Sequence, residues 1–201
     1  MNRSTFKYAI IIWILSAFPP KASAQKLRFL IPDGAIVQHA GSIGYFSGGV
    51  NYNFFKNQRG SFDVMFGVLP ESKGGSFKTL STKFAYRPFE IKVNDWLIFH
   101  PVNPGAFLSY TLDKEFDLTW DKDQYPKGYY YWSEALRFHV SFGSELKFNT
   151  TELWDSKKIK ALTLYYEINT NDMYLVNYIQ NTQAVSVTDI FKAGIGIKAS
   201  F

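Results

Sequence analysis

The chain has 201 residues, with 22 Lys and Arg against 17 Asp and Glu, three His and no Cys. Without cysteine there is neither a disulfide framework nor a lipoprotein anchor, and three scattered histidines do not make a metal site. Beyond residue 24 no apolar run approaches the roughly 20 residues that a spanning helix needs.

Residues 1–24 read as a secretory signal peptide. Arg3 and Lys7 supply the positive start, residues 8–18 the apolar run, and Ala22-Ser23-Ala24 the small-residue cleavage site before Gln25. The run is too short to span a bilayer. Cleavage removes Arg3, Lys7 and Lys21 and no acid, leaving 19 cationic residues against 17 acidic ones. The formal charge of the mature chain is then about +2 instead of +5, and no nucleic-acid patch is read from it. Residues 25–201 are expected to form one domain.

From there the chain alternates. Residues 26–31 place Leu27, Phe29 and Ile31 on one face, and Pro32-Asp33-Gly34 then reads as a turn. The segment to Gly41, with His39, reads as a loop or a continued strand. Residues 43–55 set Phe46, Val50, Tyr52 and Phe54 against Ser47, Gly49, Asn51 and Asn53. After the polar turn 57–60, residues 61–69 set Phe62, Val64, Phe66 and Val68 against Asp63, Met65 and Gly67. A turn at 71–76 leads to 77–87, with Leu80, Phe84 and Tyr86 opposite Ser81, Lys83 and Arg87. A polar turn at 92–95 precedes 96–112, whose first half is irregular because Pro101 and Pro104 do not suit a central strand.

Residues 113–128 form the most charged loop. The strand 129–148 opens on Tyr129-Tyr130-Tyr131-Trp132 and then sets Phe138, Val140 and Phe142 against Arg137, His139, Ser141, Glu145 and Lys147. The aromatic opening suits anchoring at a membrane interface. After a turn at 149–157, residues 158–169 set Leu162, Leu164, Tyr166 and Ile168 against Thr163, Tyr165 and Glu167. A loop over 170–188, with a helical turn near 172–179, precedes the closing segment 189–201. There Phe191, Ala193, Ile195, Ile197, Ala199 and Phe201 form one apolar face, and Lys192, Gly194, Gly196, Lys198 and Ser200 a small cationic one.

This ending, an alternating strand with a terminal Phe201, resembles the closing strand of small Gram-negative outer-membrane β-barrels. The resemblance implies an all-β fold: a closed, antiparallel, up-and-down transmembrane barrel of about eight strands. It also implies outer-membrane lipid as the surroundings, and Phe201 as the signal read by the barrel-insertion machinery. With the carboxyl end in the periplasm, the loops 32–42, 71–76, 113–128 and 170–188 fall outside and the turns 57–60, 92–95 and 149–157 inside. An even strand count and long outer loops are the rule for such barrels.

Face size separates this reading from a soluble barrel. The apolar faces carry Phe, Tyr, Leu and Ile, too bulky to fill the interior of eight strands, whereas the other faces are small and polar. The inward set predicts a polar network of Arg28, Lys83, Arg87, Arg137, His139, Lys192 and Lys198 with Asp63, Glu145 and Glu167. Its charges must pair away from bulk water. Glu145 and Glu167 are the expected partners of Lys192 and Lys198.

Two further readings come from particular residues. On one face of one strand, His139, Ser141 and Glu145 (or the nearby Glu152) supply a base, a nucleophile and an acid. His139-Val140-Ser141 resembles the His-x-Ser pair of outer-membrane lipid A deacylases, which implies hydrolysis of lipid acyl esters. The residues flanking that family's motif are not matched around Phe142-Gly143, and parity turns His139 away from lipid. The many inward Gly and Ser residues also admit a narrow solute channel. The first expectation remains a filled lumen and a structural or surface-interaction role through the outer loops, without a cofactor.

Overall fold

The computed structural model describes residues 29–113, 133, 135–154 and 158–201. The signal segment, Arg28 and the aromatic cluster 129–132 lie outside the described residues. Of the first 31 residues only 29–31 are described; Phe29 and Leu30 form a 3-10 turn, not the predicted strand.

Residues Pro32–Phe201 form one compact unit built on strands. In chain order these are β1 (Gly34–Ala40), β2 (Phe46–Phe54), β3 (Gly60–Leu69), β4 (Phe77–Tyr86), β5 (Ile91–Lys92), β6 (Leu97–Leu112), β7 (Leu136–Asn149), β8 (Ala161–Asn171) and β9 (Lys192–Ser200). Each neighbour pair is antiparallel. β1 pairs with both β2 and β9, and β4 pairs with β6, so eight strands close on themselves while the two-residue β5 extends the edge beside β6. Closure leaves no long strand edge open.

Two ends differ. The turns 55–59 and 87–96 and the short helix α1 (Thr150–Trp154) lie at the end where the chain finishes. There the Phe201 amide donates to the Asp33 carbonyl at 2.9 Å. The opposite, long-loop end carries 41–45, 70–76 and 172–191. The last of these contains α2 (Asp172–Gln180), where the predicted helical turn lies. Asn171 caps α2 by accepting from the Tyr174 amide at 2.8 Å.

The alternation sorts side chains by size and polarity. Outward lie Phe62, Phe66, Leu80, Leu108, Phe142, Leu164 and Ile197, all exposed. Inward lie polar groups with a few large apolar ones, Ile36, Met65, Phe107 and Tyr165, and Ile43 is buried at the long-loop end. On β9 the inward glycine Gly196 is required by a close approach. A Cβ there would come within 2.5 Å of both the Tyr165 hydroxyl and the Val37 carbonyl oxygen.

Three expectations are decided or refined. The first strand is Gly34–Ala40: of the two readings of the segment to Gly41, loop or continued strand, the strand holds, and the loop read over 32–42 shrinks to 41–45. Pro32-Asp33 leads into the strand, and Gly34 opens it against Asn51 and Ser200. Second, β6 runs through Pro101 and Pro104. A bulge between His100 and Asn103 shifts the register against β7 and accommodates both prolines. The bulge also resets parity, so His100 and Asn103 are both buried three residues apart. Third, β7 begins at Leu136.

Candidate functional site: the ion-paired barrel interior

Registers bring the inward charges together. Asp63 on β3 lies beside Asn51 on β2 and Lys83 on β4, while Glu145 on β7 lies beside His100 on β6 and Tyr165 on β8. Lys198 on β9 reaches across the lumen from beside Thr163. Its ammonium lies 3.1 Å from Asp63 Oδ2 and 3.2 Å from Glu145 Oε1, and donates to Ser61 Oγ at 3.1 Å. Arg87, just past β4, meets Glu145 through Nε at 2.5 Å and Nη2 at 3.4 Å. Lys83 pairs with Glu167 Oε2 at 2.7 Å and donates to Gln38 Oε1 at 3.0 Å.

Three cations, Lys83, Arg87 and Lys198, thus match three carboxylates, Asp63, Glu145 and Glu167, and all six are buried. Tyr165 stands between the two clusters. Its hydroxyl donates to Gln38 Oε1 at 2.9 Å, and the Lys198 and Lys83 ammonium groups lie 5.1 and 6.0 Å from its ring centre. Asn51 donates to Ser61 Oγ at 3.1 Å and to Asp63, and Ser61 donates to Asp63 at 3.2 Å. Buried charges carry a large desolvation penalty, and pairing together with hydrogen bonds offsets it.

The network leaves little space. Among the described residues, two interior cavities lined by Arg87, Glu145, Lys198, Asp63 and Lys83 measure about 30 Å³ each. That is room for water.

Not every predicted member sits in this network. Lys192 has the inward parity of β9 but lies exposed at its long-loop end, with its ammonium 5.2 Å from the Tyr174 ring centre of α2. It therefore reaches neither Glu145 nor Glu167. Arg137 is half-buried near the long-loop end and donates to the carbonyls of Leu136, at 2.7 Å, and Ser133. Arg28 lies outside the described residues.

His139, Ser141 and Glu145 do not form a relay. His139 Nε2 contacts Ser109 Oγ at 2.8 Å, and the imidazole stacks on Phe107 with centres 4.0 Å apart and planes 7° apart. Ser141 lies opposite Gly105 on β6, and the Glu145 carboxylate is held by Arg87 and Lys198. His139 and Ser141 are buried inward, 1% and 5% exposed, away from the apolar wall. Glu152 lies exposed on α1 at the opposite end of β7.

Ser109, Gln38 and the Tyr165 hydroxyl are the groups that sequence reasoning did not single out. Parity alone marks Ser109 and Tyr165 as inward, but their partners sit on other strands and depend on register. Gln38 falls in the segment that reads as either a loop or a continued strand. A scan against protein-family models finds none that matches the chain, and a search of curated proteins finds no match.

Proposed function

We propose that the protein is an outer-membrane β-barrel with a closed, ion-paired lumen, serving a structural or surface-interaction role through the long-loop end. The observation that carries this reading is the distribution of polarity across the wall. Exposed Phe, Leu, Ile and Val cover the outside, while four ion pairs among the described residues and their hydrogen bonds occupy the inside. In water that arrangement leaves large apolar surface exposed and charges buried. In a bilayer it places hydrocarbon against hydrocarbon. Strands β2, β3, β4, β8 and β9 are 9 to 11 residues long, the length a tilted strand needs to cross the hydrocarbon core.

The signal-like residues 1–24 and the terminal Phe201 support export and insertion with the chain end in the periplasm. The long loops then face outward. The resulting role is mechanical or adhesive, since eight strands filled by side chains leave no aqueous channel. Cell fractionation and gel electrophoresis test it. The mature chain is expected in the outer-membrane fraction, migrating faster unheated than boiled. A chain recovered in the soluble periplasm, with no heat-dependent mobility, overturns the reading.

A further inference from the structure

Among the described residues, a histidine lies on the apolar wall. His39 points outward from β1, between Phe46 of β2 and Ile195 of β9, its partners in register. Among the described residues its Nδ1 is shielded from solvent and has no hydrogen-bond partner. An ionisable group facing hydrocarbon is costly and calls for a specific partner.

Its surroundings suggest what that partner is. The His39 ring stands edge-on to Tyr45, with centres 4.6 Å apart, and tilts against Phe46 at 5.0 Å. The Lys73 ammonium lies 5.1 Å from the centre of the same Tyr45 ring, and Lys73 has no ion pair among the described residues. From His39 a groove of about 400 Å³ runs along the outer wall, lined by Val37, Phe46, Leu164, Ile195 and Ile197. Residue size shapes it: small outward groups such as Ala35, Gly48 and Ala199 lie between the bulky rows of β3 and β8.

We propose that this groove seats one acyl chain of an anionic phospholipid, with its phosphate accepting from Lys73 and from His39. The inference rests on the membrane reading above. Charge decides between occupants. A second copy packed face to face by a two-fold axis would bring two copies of Lys73 and His39 to one seam, whereas an anionic headgroup complements them. The groove supplies apolar contact, the aromatic pair Tyr45 and Phe46 marks the interface level, and the two nitrogen groups supply the headgroup site.

The test is native mass spectrometry of the mature chain, refolded in detergent micelles with phosphatidylglycerol or phosphatidylcholine of identical chains. The wild-type barrel is expected to retain one phosphatidylglycerol, bound about tenfold more tightly than phosphatidylcholine, a difference of about 1.4 kcal/mol. Val37→Trp and, independently, Ile195→Trp fill the groove from outside and abolish retention of both lipids. His39→Phe combined with Lys73→Gln lowers phosphatidylglycerol to the level of phosphatidylcholine. Equal retention of the two lipids by wild type, or full retention by both tryptophan variants, overturns the proposal. So does a dimer that sedimentation detects and Val37→Trp removes. A chain that never shows heat-dependent mobility in micelles overturns the membrane reading and this site with it. A folded barrel that retains no lipid overturns this site alone.

Discussion

Replacing Lys198 by Met isolates the energetics of the interior. The substitution keeps the length and apolar stem of the side chain and removes one charge. Three contacts go with it: Asp63 at 3.1 Å, Glu145 at 3.2 Å and Ser61 at 3.1 Å. Glu145 keeps Arg87, whose Nε lies 2.5 Å away, so its charge stays compensated. Among the described residues, Asp63 keeps only hydrogen bonds from Asn51 and Ser61. Removing one partner of a buried pair costs about 3–5 kcal/mol. With two hydrogen bonds still at Asp63, the expected loss is near the lower end, about 3 kcal/mol, or roughly a hundredfold in the folding equilibrium. Adding Asp63→Asn removes the orphaned charge and is expected to restore stability to within about 1 kcal/mol, because a buried ion pair contributes little net over neutral groups. Urea titration of the protein in lipid vesicles, followed by tryptophan fluorescence, measures both variants. An unchanged midpoint in Lys198→Met, or a double variant no more stable than the single one, refutes the account of a closed, paired lumen.

Three further outcomes follow from the geometry. Phe142→Arg places a charge in the middle of the outward face of β7, opposite Pro104 and Ile168, and is expected to cost about 2–4 kcal/mol in vesicles; a neutral effect would place that face in water. Ser109→Ala deprives the buried His139 Nε2 of its 2.8 Å partner and is expected to lower stability by about 1–3 kcal/mol in the same titration, whereas an unchanged value would mean that water replaces the hydroxyl. In a planar bilayer the purified barrel is expected to show no conductance steps above background. Regular steps would mean that the ion pairs part to open a path.

Much of this was legible in the residue order, and the reasons differ by element. Strands β3, β4, β8 and β9 alternate bulky apolar with small polar side chains, so both their existence and their inward faces follow from a period of two. β1 was only half legible, a loop or a continued strand, because its faces are less distinct. Ile36, an apolar residue, points inward and His39, a polar one, points outward, while Pro32-Asp33-Gly34 imitates a turn. The inward charges of Asp63, Lys83, Arg87, Glu145, Glu167 and Lys198 could be read from parity, but their pairing could not. Lys83 meets Glu167, far away in sequence, only because the barrel closes through β4 and β6. Lys192 shows the limit of parity, which assigns a face but not a depth, and its side chain lies at the rim. The His139-x-Ser141 spacing likewise does not name the imidazole's partner, because Ser109, on the neighbouring strand, supplies the hydroxyl that contacts it.

The wall's orientation toward lipid is tested most directly by spin-label accessibility. The chain contains no cysteine, so each introduced one is unique. Nitroxides are placed outward through Phe66→Cys, Leu108→Cys and Ile197→Cys, and inward through Ser81→Cys and Ser141→Cys, in the barrel reconstituted into vesicles. The account predicts that the three outward labels collide freely with dissolved oxygen and hardly at all with a water-soluble nickel chelate, while the two inward labels are reached by neither. Outward labels that the nickel chelate relaxes strongly would put water against the apolar face and contradict the membrane-spanning barrel.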